Sequence, residues 1–290
     1  MNGSLPATDH HRADRGLCAD GTIAREGALD RVPPAFVPLV AAARTAITGA
    51  YGEPSSGAPG DPAGPVLHSA YLYGSVPRGT ARPGASDLDL LIALHREPTS
   101  ADRATARAVE GDLDGRFGVV DGVGILLFAA EALLSELERH DLGFFVACLC
   151  TPLLGEDLGT RLPRYRPTAL LARETNGDLA LLLPQWRHRA DAAGTADERR
   201  RLCRGVARRL VRTGFTLVMP DWGGWTSDLR RSAELCAARY PARAGQLRLA
   251  ADAALAPSAD PAVLEMLIGD LAPWLAAEYT AVHGPKAPRP

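Results

Sequence analysis

The chain is 290 residues long, with 46% hydrophobic residues, 23% charged residues and a formal net charge of −2. This composition is ordinary for a globular protein, and the length suits two modest domains. No apolar run reaches the roughly 18 residues that span a bilayer, and the opening segment MNGSLPATDHHRADRG lacks the apolar core of a signal peptide. The composition therefore excludes a membrane-spanning chain and predicts a cytoplasmic protein.

The five cysteines form an odd-numbered set without a CxxC pair. Neither a disulfide framework nor a cysteine zinc site is indicated by this pattern. We therefore interpret them as small buried hydrophobic residues. They are Cys18, Cys148, Cys150, Cys203 and Cys236.

The first part of the chain alternates between polar segments and regular elements. Residues 1–33 lack periodicity and are predicted to be a disordered tail, and the Gly/Pro/Ser-rich segment 51–65 is predicted to be mobile. Between them, PPAFVPLVAAARTAITGAYG predicts a helix that begins at its two prolines. The following VLHSAYLYG predicts a short strand that ends at Gly74.

Strands and helices continue to alternate up to about residue 158. The run DLDLLIAL predicts a buried central strand, residues 100–115 a helix, FGVVDGVGILLF a strand, and 131–140 a helix. This order predicts an α/β or α+β domain over residues 34–158.

Long helical patterns replace the strands from Pro167 onward. Helices are predicted at about 168–190, 196–218, 226–240, 243–256 and 260–282, which predicts a helical bundle over 159–282 and a tail over 283–290. The whole chain is thus predicted to be α+β, a small mixed-sheet domain followed by an all-α domain. In the second helix an arginine stripe opposes the apolar side, which is typical of a solvated face but also suits a phosphate-facing wall. The stripe comprises Arg201, Arg204, Arg208 and Arg212.

Two aspartates stand at the start of the predicted central strand. Successive strand side chains point to opposite faces, so Asp87 and Asp89 share one face while Leu88 and Leu90 enter the core. Magnesium commonly joins one or two protein carboxylates to substrate phosphates. The pair predicts a magnesium site, although Asp-x-Asp also occurs in ordinary turns.

The segment GSVPRG lies shortly before these aspartates. Gly74 lets the backbone approach a ligand, and Ser75 adds a hydroxyl at the start of a predicted short helix. Arg78 and Arg82 lie close enough in sequence to bind the same anion. The alternative interpretation is a strand, a tight turn and an exposed loop.

Asp121, in VVDGVG, is a third candidate acid. We predict that it lies within an adjacent hydrophobic strand, where an unpaired carboxylate is costly and a metal would serve as its partner. The alternative is a hairpin turn, because Asp-Gly is a common turn dipeptide.

Together these residues resemble the nucleotidyltransferases of the DNA polymerase β superfamily. The resemblance rests on Gly74-Ser75, Arg78-Gly79, the segment SDLDL at 86–90 and Asp121, and it covers residues 66–158. A domain of this type followed by a helical bundle is similar to bacterial aminoglycoside nucleotidyltransferases of the streptomycin/spectinomycin type. The triphosphate-binding lysines of some relatives have no counterpart, since Lys286 is the only lysine.

The resemblance implies a specific set of roles. Asp87, Asp89 and Asp121 would be catalytic and would ligate Mg2+, with two ions expected, while ATP or another nucleoside triphosphate serves as the donor. In such a two-ion site the attacking and leaving oxygens are both stabilised. The residues expected to bind the nucleotide are Gly74, Ser75, Arg78, Ser86, Arg204 and Arg208.

A cationic acceptor such as an aminoglycoside requires acids and aromatic residues in the helical region. Glu174 and Asp178 lie one helical turn apart, and Trp222 and Trp225 flank a Gly-Gly pair. We predict these four residues as acceptor-binding and antibiotic resistance as a role. Each also has a structural interpretation, as a solvated acid or a loop anchor.

Other functions stay open at this stage. The acceptor could be a protein or a tRNA end, as for the nucleotidyltransferase antitoxins, or the domain could be a non-catalytic nucleotide-binding regulator. Nucleic-acid binding by the arginine-rich helices is disfavoured because 6% aromatic residues provide few stacking platforms. A homodimer, the choice of triphosphate and the identity of the acceptor are left undecided by the sequence.

Overall fold

The computed structural model of the protein describes residues 14–55 and 66–289. Positions 1–13 of the predicted tail and positions 56–65 of the predicted mobile segment lie outside the described residues. The chain divides into two compact units. The sheet unit is Ala24–Tyr165, and the helical unit combines Arg166–Pro290 with the segment that precedes Ala24.

A four-stranded mixed sheet forms the sheet unit. Its strands are β1 Leu67–Tyr73, β2 Leu88–Leu94, β3 Val123–Ala129 and β4 Cys150–Gly155. The spatial order is β3-β2-β1-β4; β1 is antiparallel to both β2 and β4, whereas β2 and β3 are parallel. This architecture and the helical unit confirm the predicted α+β class.

Short and long helices accompany the sheet: α1 Val37–Tyr51, α2 Ser75–Arg78, α3 Ser100–Arg116, α4 Ala130–Leu134 and α5 Leu142–Phe144. The helix α3 forms the crossover between parallel strands β2 and β3. Thr99 and Asp102 begin this helix with a capping box, in which each side chain accepts a hydrogen bond from the other residue's backbone N–H. Apolar residues of β1 and β2 pack with those of α1 and α3 in one core.

The elements after residue 116 differ from the prediction. The strand expected over 117–128 begins only at Val123, and the helix expected over 131–140 ends at Leu134. Strand β4 was not predicted; it is short, contains Pro152 and depends on pairing with the distant β1. Local patterns report poorly on strands whose partners lie far away in the chain.

Packing places the end of the sheet unit at Tyr165, later than the predicted end at residue 158. The buried Tyr71 hydroxyl accepts a hydrogen bond from the Leu158 N–H at 2.7 Å. Burial raises the pKa of Tyr71 to about 12. Tyr165 packs edge-on against Phe144 and donates to the Arg139 carbonyl at 2.5 Å. These contacts hold residues 158–165 to the sheet unit.

The helical unit confirms the predicted bundle. Its helices are α6 Ala169–Asn176, α7 Leu179–Ala192, α8 Ala196–Trp222, α9 Leu229–Arg239, α10 Ala244–Leu255, α11 Pro261–Glu265 and α12 Ala272–His283. The helix predicted over about 168–190 is interrupted at Gly177, which caps α6 and separates it from α7. In the parts of the chain that the structure covers, no helix is long and apolar enough to cross a membrane.

Residues 14–33 have defined positions, unlike the disordered tail predicted there. Leu17 pairs with Ile23 in a β-bridge, and the Arg15 carbonyl accepts a hydrogen bond from the Trp225 N–H at 2.8 Å. Further on, the Glu26 N–H donates to the Cys148 carbonyl at 2.9 Å. Such single tertiary contacts leave no periodic pattern in the sequence. Four of the five cysteines are buried, as predicted, and Cys18 is exposed.

Candidate active site

Three strand ends meet at one edge of the sheet. The end of β1 lies beside the start of β2, with Tyr73 opposite Asp89. The start of β3 lies on the other side of β2, with Gly124 opposite Asp89. The parallel crossover through α3 brings β3 back to this edge. Residues remote in sequence are thereby assembled around the two aspartates.

Gly74 lies directly against the Asp89 carboxylate. Its φ of +81° belongs to the region that favours glycine, and a Cβ at this position would be 2.5 Å from Asp89 Oδ2. A side chain here would collide with the carboxylate. The backbone conformation therefore favours glycine here, and any side chain would force the Asp89 carboxylate to move.

Two further glycines flank the aspartates on β3 and just before it. A Cβ at Gly122 would be 3.8 Å from Asp87 Oδ1, and a Cβ at Gly124 would be 4.0 Å from Asp89 Oδ1. The positions next to both half-buried carboxylates thus carry no side chain. Sequence reasoning missed this feature, although the alternation Gly-x-Gly at a strand start is a signal that could have revealed it.

Backbone hydrogen bonds join the loop before β2 to the loop before β3. The Asp121 N–H donates to the Ser86 carbonyl at 3.1 Å, and the Leu88 N–H donates to the Gly122 carbonyl at 2.9 Å. The Ser86 hydroxyl accepts a hydrogen bond from the Arg82 N–H at 2.9 Å. Ser86 therefore shapes the turn that leads to Asp87; its predicted contact with the nucleotide stays a prediction.

Asp121 lies in a bend and is exposed, one residue before Gly122. The expectation that it sits inside a strand was wrong, because β3 begins at Val123, and the alternative of a hairpin turn was also wrong, because β2 and β3 are parallel. Within the described ranges, no three His, Cys, Asp or Glu residues are grouped closely enough to hold a metal ion. The structure brings Asp87 and Asp89 to one edge, and the role of Asp121 as a third ligand stays a prediction.

The short helix α2 begins at Ser75, as predicted, and ends at Arg78, with Gly79 as its C-cap. Arg78 lies in its last turn and forms an ion pair with Glu26, with 3.4 Å between Arg78 Nη1 and Glu26 Oε2. Gly79 has a φ of +77°, and a Cβ there would be 2.9 Å from the Arg31 carbonyl oxygen. Residues from the predicted tail therefore pack on this helix.

The two acids predicted to bind the acceptor are engaged within the helical unit. Glu174 is buried and pairs with Arg173 at 3.0 Å and with Arg289 at 3.4 Å. Burial alone raises the pKa of Glu174, but hydrogen bonds led by that from Arg173 outweigh it and hold the pKa below its usual value. Asp178 pairs with Arg209 and, at 3.6 Å, with Lys286. Their role toward an acceptor stays a prediction.

Both predicted tryptophans contact Phe215. The ring centroids are 5.8 Å apart for Trp222 and 5.5 Å apart for Trp225, which is buried. The guanidinium of Arg231 lies 5.2 Å from the centroid of the Trp222 ring. These contacts fit the structural interpretation of the tryptophans, and acceptor binding by them stays a prediction.

Arg204 and Arg208 are half-buried on α8, where they flank its buried apolar residues. They belong to the helical unit, and the aspartates belong to the sheet unit. Contact between these arginines and a nucleotide therefore stays a prediction.

Residues 64–121 match the family model described as a nucleotidyltransferase domain. The matched segment contains β1, α2, β2 and α3, together with Gly74 and both aspartates. This match confirms the resemblance found in the sequence: the chain carries a nucleotidyltransferase domain and is an enzyme of the nucleotidyltransferase type. The helical unit lies outside the matched residues.

No curated protein matches the chain. Among solved structures, the chain is similar to spectinomycin adenyltransferase AAD(9) from Enterococcus faecialis, crystallised with ATP and spectinomycin. The identity is 13% and the TM-score 0.45, over 74% of this chain and 92% of that chain. These values are too low to assign a donor or an acceptor to this chain.

The residues at the sheet edge fit a magnesium ion. Carboxylate oxygens are its preferred protein ligands, and it usually binds through one or two of them plus substrate phosphates and water. Asp87 and Asp89 supply two carboxylates, and the glycine at position 74 is needed to accommodate the second. Asp87 and Asp89 are therefore the residues that would hold a magnesium-bound triphosphate, and its binding stays a prediction.

Proposed function

We propose that the protein is a magnesium-dependent nucleotidyltransferase that moves a nucleoside monophosphate, AMP from ATP, to a hydroxyl group of a small acceptor. One observation carries the proposal: within the matched domain, Asp87 and Asp89 share one sheet edge, where three glycines border their carboxylates. A Cβ at Gly74 would come within 2.5 Å of Asp89 Oδ2, and Gly122 and Gly124 add no side chain beside the aspartates. Carboxylates that are not crowded by side chains suit a bulky magnesium-bound triphosphate.

The roles of the residues follow from their positions. Asp87 and Asp89 would hold the magnesium ion, which supplies neutralisation of phosphate charge when it is bound. The backbone at Gly74 and Ser75 would lie along the triphosphate, and Arg78 would bind its oxygens. Positioning and charge neutralisation account for most catalysis of phosphoryl transfer, so the chain needs no covalent nucleophile.

The acceptor is proposed from the sequence resemblance of the helical region alone. A hydroxylated, aminoglycoside-like compound would require acids or aromatic faces, and Glu174, Asp178, Trp222 and Trp225 are the proposed contacts. Both acids are paired with basic residues of the same unit. A cationic acceptor would therefore have to compete with these arginines for the carboxylates, or bind beside them.

Calorimetric titration with the four nucleoside triphosphates, with and without magnesium, tests the proposal. Wild type is expected to bind one triphosphate only when magnesium is present, and the Asp87→Asn/Asp89→Asn variant is expected to lose this binding. The matched control is Asp112→Asn/Asp114→Asn, which removes two exposed acids from α3 and should bind as wild type does. Absence of binding by folded wild type would contradict the proposal.

The acceptor is tested separately, by transfer of label from the bound triphosphate to aminoglycosides, to other hydroxylated compounds, to protein and to tRNA. Transfer to a small compound supports the proposal. Labelling of protein or tRNA would contradict a small acceptor and would show that the acceptor is a macromolecule. Binding of the triphosphate without transfer to any acceptor would favour the non-catalytic regulator.

A further inference from the structure

The segment Arg25–Arg31 crosses the sheet unit beside the helix α2, and we call it the strap. It precedes α1 in sequence, and it contacts both the helix α2 and the residues before and after β4. Its Ala28 N–H donates to the Pro77 carbonyl at 3.0 Å. A Cβ on Gly27 would be 2.9 Å from Pro77 Cβ and 2.4 Å from Thr151 Oγ1, so the strap lies closely against both.

The strap is anchored at its first residues. Arg25 forms a bidentate pair with Asp157, at 2.8 and 3.2 Å, and its Nε donates to the Ala147 carbonyl at 3.0 Å. The Glu26 N–H donates to the Cys148 carbonyl. Bidentate arginine pairs add geometric definition to their energy. The backbone of Glu26 is thus held in place from the β4 side of the sheet.

From this fixed backbone, Glu26 reaches Arg78. The two side chains are largely buried, with 15% exposure for Glu26 and 30% for Arg78, and Nη1 lies 3.4 Å from Oε2. A guanidinium has five N–H donors in a planar fork, so a pair through one nitrogen leaves donors for an anion. At 3.4 Å this is a modest charge-assisted contact, which limits the orientations that the Arg78 guanidinium can adopt.

We propose that Glu26 is a positioning residue, which holds the Arg78 guanidinium in place to bind the donor triphosphate. The inference rests on the proposed function, since it names the residue that orders a triphosphate ligand. An arginine that is free to rotate loses rotamer entropy when an anion binds. A partner that orders it beforehand removes part of that cost.

The test is a double-variant cycle on magnesium-dependent triphosphate binding, with Glu26→Ala, Arg78→Ala and both together. Removal of Glu26 is expected to weaken binding about threefold to tenfold, the cost of ordering one long side chain. In the Arg78→Ala background the same change is expected to have no effect. Glu26→Gln, which can still accept a hydrogen bond from Arg78, should restore part of the affinity. Glu53→Ala, an exposed acid in the same unit, is the matched control and should bind as wild type.

A merely structural role for Glu26 gives a different pattern. The loss of affinity would then persist in the Arg78→Ala background and would follow the unfolding midpoint, which is measured for every variant. That pattern, or unchanged binding by Glu26→Ala in a wild type that binds the triphosphate, overturns the inference alone. Failure of folded wild type to bind any triphosphate overturns the proposed function and the inference with it.

Discussion

Two pairs of acids in this protein have different neighbouring residues. At the sheet edge, Asp87 and Asp89 are bordered by glycines, whose missing side chains leave space beside the carboxylates. In the helical unit, Glu174 and Asp178 are paired with arginine and lysine side chains of the same unit.

The difference shows that the spacing of two acids does not by itself reveal their role. The residues around the carboxylates decide whether they stabilise the fold or can bind a ligand. A carboxylate that already has a basic partner contributes to stability, and a ligand must compete for it. Carboxylates bordered by glycine are not crowded by neighbouring side chains, which suits a magnesium-bound ligand. Substitutions beside Asp87 and Asp89 should therefore change activity, and substitutions of paired acids should change stability.

The largest effect is expected from Gly74→Ala. The new Cβ would collide with Asp89 Oδ2 and would have to adopt a φ of +81°. We expect transfer activity to fall about 100-fold, as for a displacement of roughly 1 Å in an active site. The measurement is kcat with the preferred triphosphate.

Gly52→Ala is the matched control for this change. Gly52 has a φ of +85° at the end of α1, but nothing lies within 4 Å of the added Cβ. The two variants share the backbone strain and differ in the collision. Equal losses of activity in both would contradict a specific role for the approach of Gly74 to Asp89.

The second effect concerns Asp102, a paired acid of the sheet unit. Hydrogen bonds from Arg96 and Thr99 hold its pKa well below the ordinary value of 3.8. We expect Asp102→Asn to lower the free energy of unfolding by about 2 kcal/mol at pH 7, through loss of the ion pair and part of the helix cap. Asp112→Asn, which breaks an exposed pair on the same helix, should have a smaller effect.

The pH dependence of this effect has a defined sign. A folded-state pKa below the unfolded value stabilises the protein above the unfolded pKa, and the stabilisation is lost as the pH falls further. The difference in unfolding free energy between wild type and Asp102→Asn should therefore be constant from about pH 7 to 5 and shrink below about pH 4. Urea denaturation at several pH values measures it, and a difference that grows on acidification would refute this account.

A third, smaller effect is expected from Asp178→Asn. The variant loses both ion pairs of Asp178, with Arg209 and with Lys286, and all three side chains are less than a third exposed to solvent. We expect the unfolding free energy to fall by about 1 kcal/mol. Triphosphate binding should not change. Asp191→Asn, an exposed acid on α7, is the control for the loss of charge. A loss of acceptor affinity without a loss of stability would show that Asp178 is a binding residue.

The smallest effect is expected from Arg248→Ala. Its pair with Glu234 is bidentate, at 2.7 and 2.9 Å, but both side chains are more than half exposed. Solvent and salt screen such pairs, so the urea midpoint should not change measurably. A clear shift of the urea midpoint would mean that exposed ion pairs also stabilise the helical unit. The exposed Arg248 pair and the less exposed Asp178 pairs would then not differ in their effect on stability.

Much of the sheet unit could be predicted because its signals are local. The helix α1, the strands β1 and β2 and the start of α2 all follow from short periodic runs and from glycine and proline. The placement of Asp121 could not be predicted, because the start of β3 depends on its hydrogen bonds with the distant loop 82–88. The strap could not be predicted either, since its contacts join residues near position 26 with residues near 77, 148 and 157.

The sequence by itself determined the class of chemistry, since Gly74 and Ser75 end one strand and begin a short helix, and Asp87 and Asp89 stand at the start of the next strand. Their spacing directs both carboxylates to one face without reference to the rest of the chain. Only the tertiary structure decided which acids carry basic partners and which are bordered by glycine. These neighbours come from the start of β3, from α8 and from residues 286–289, and contacts across such sequence distances are set by packing and not by local pattern.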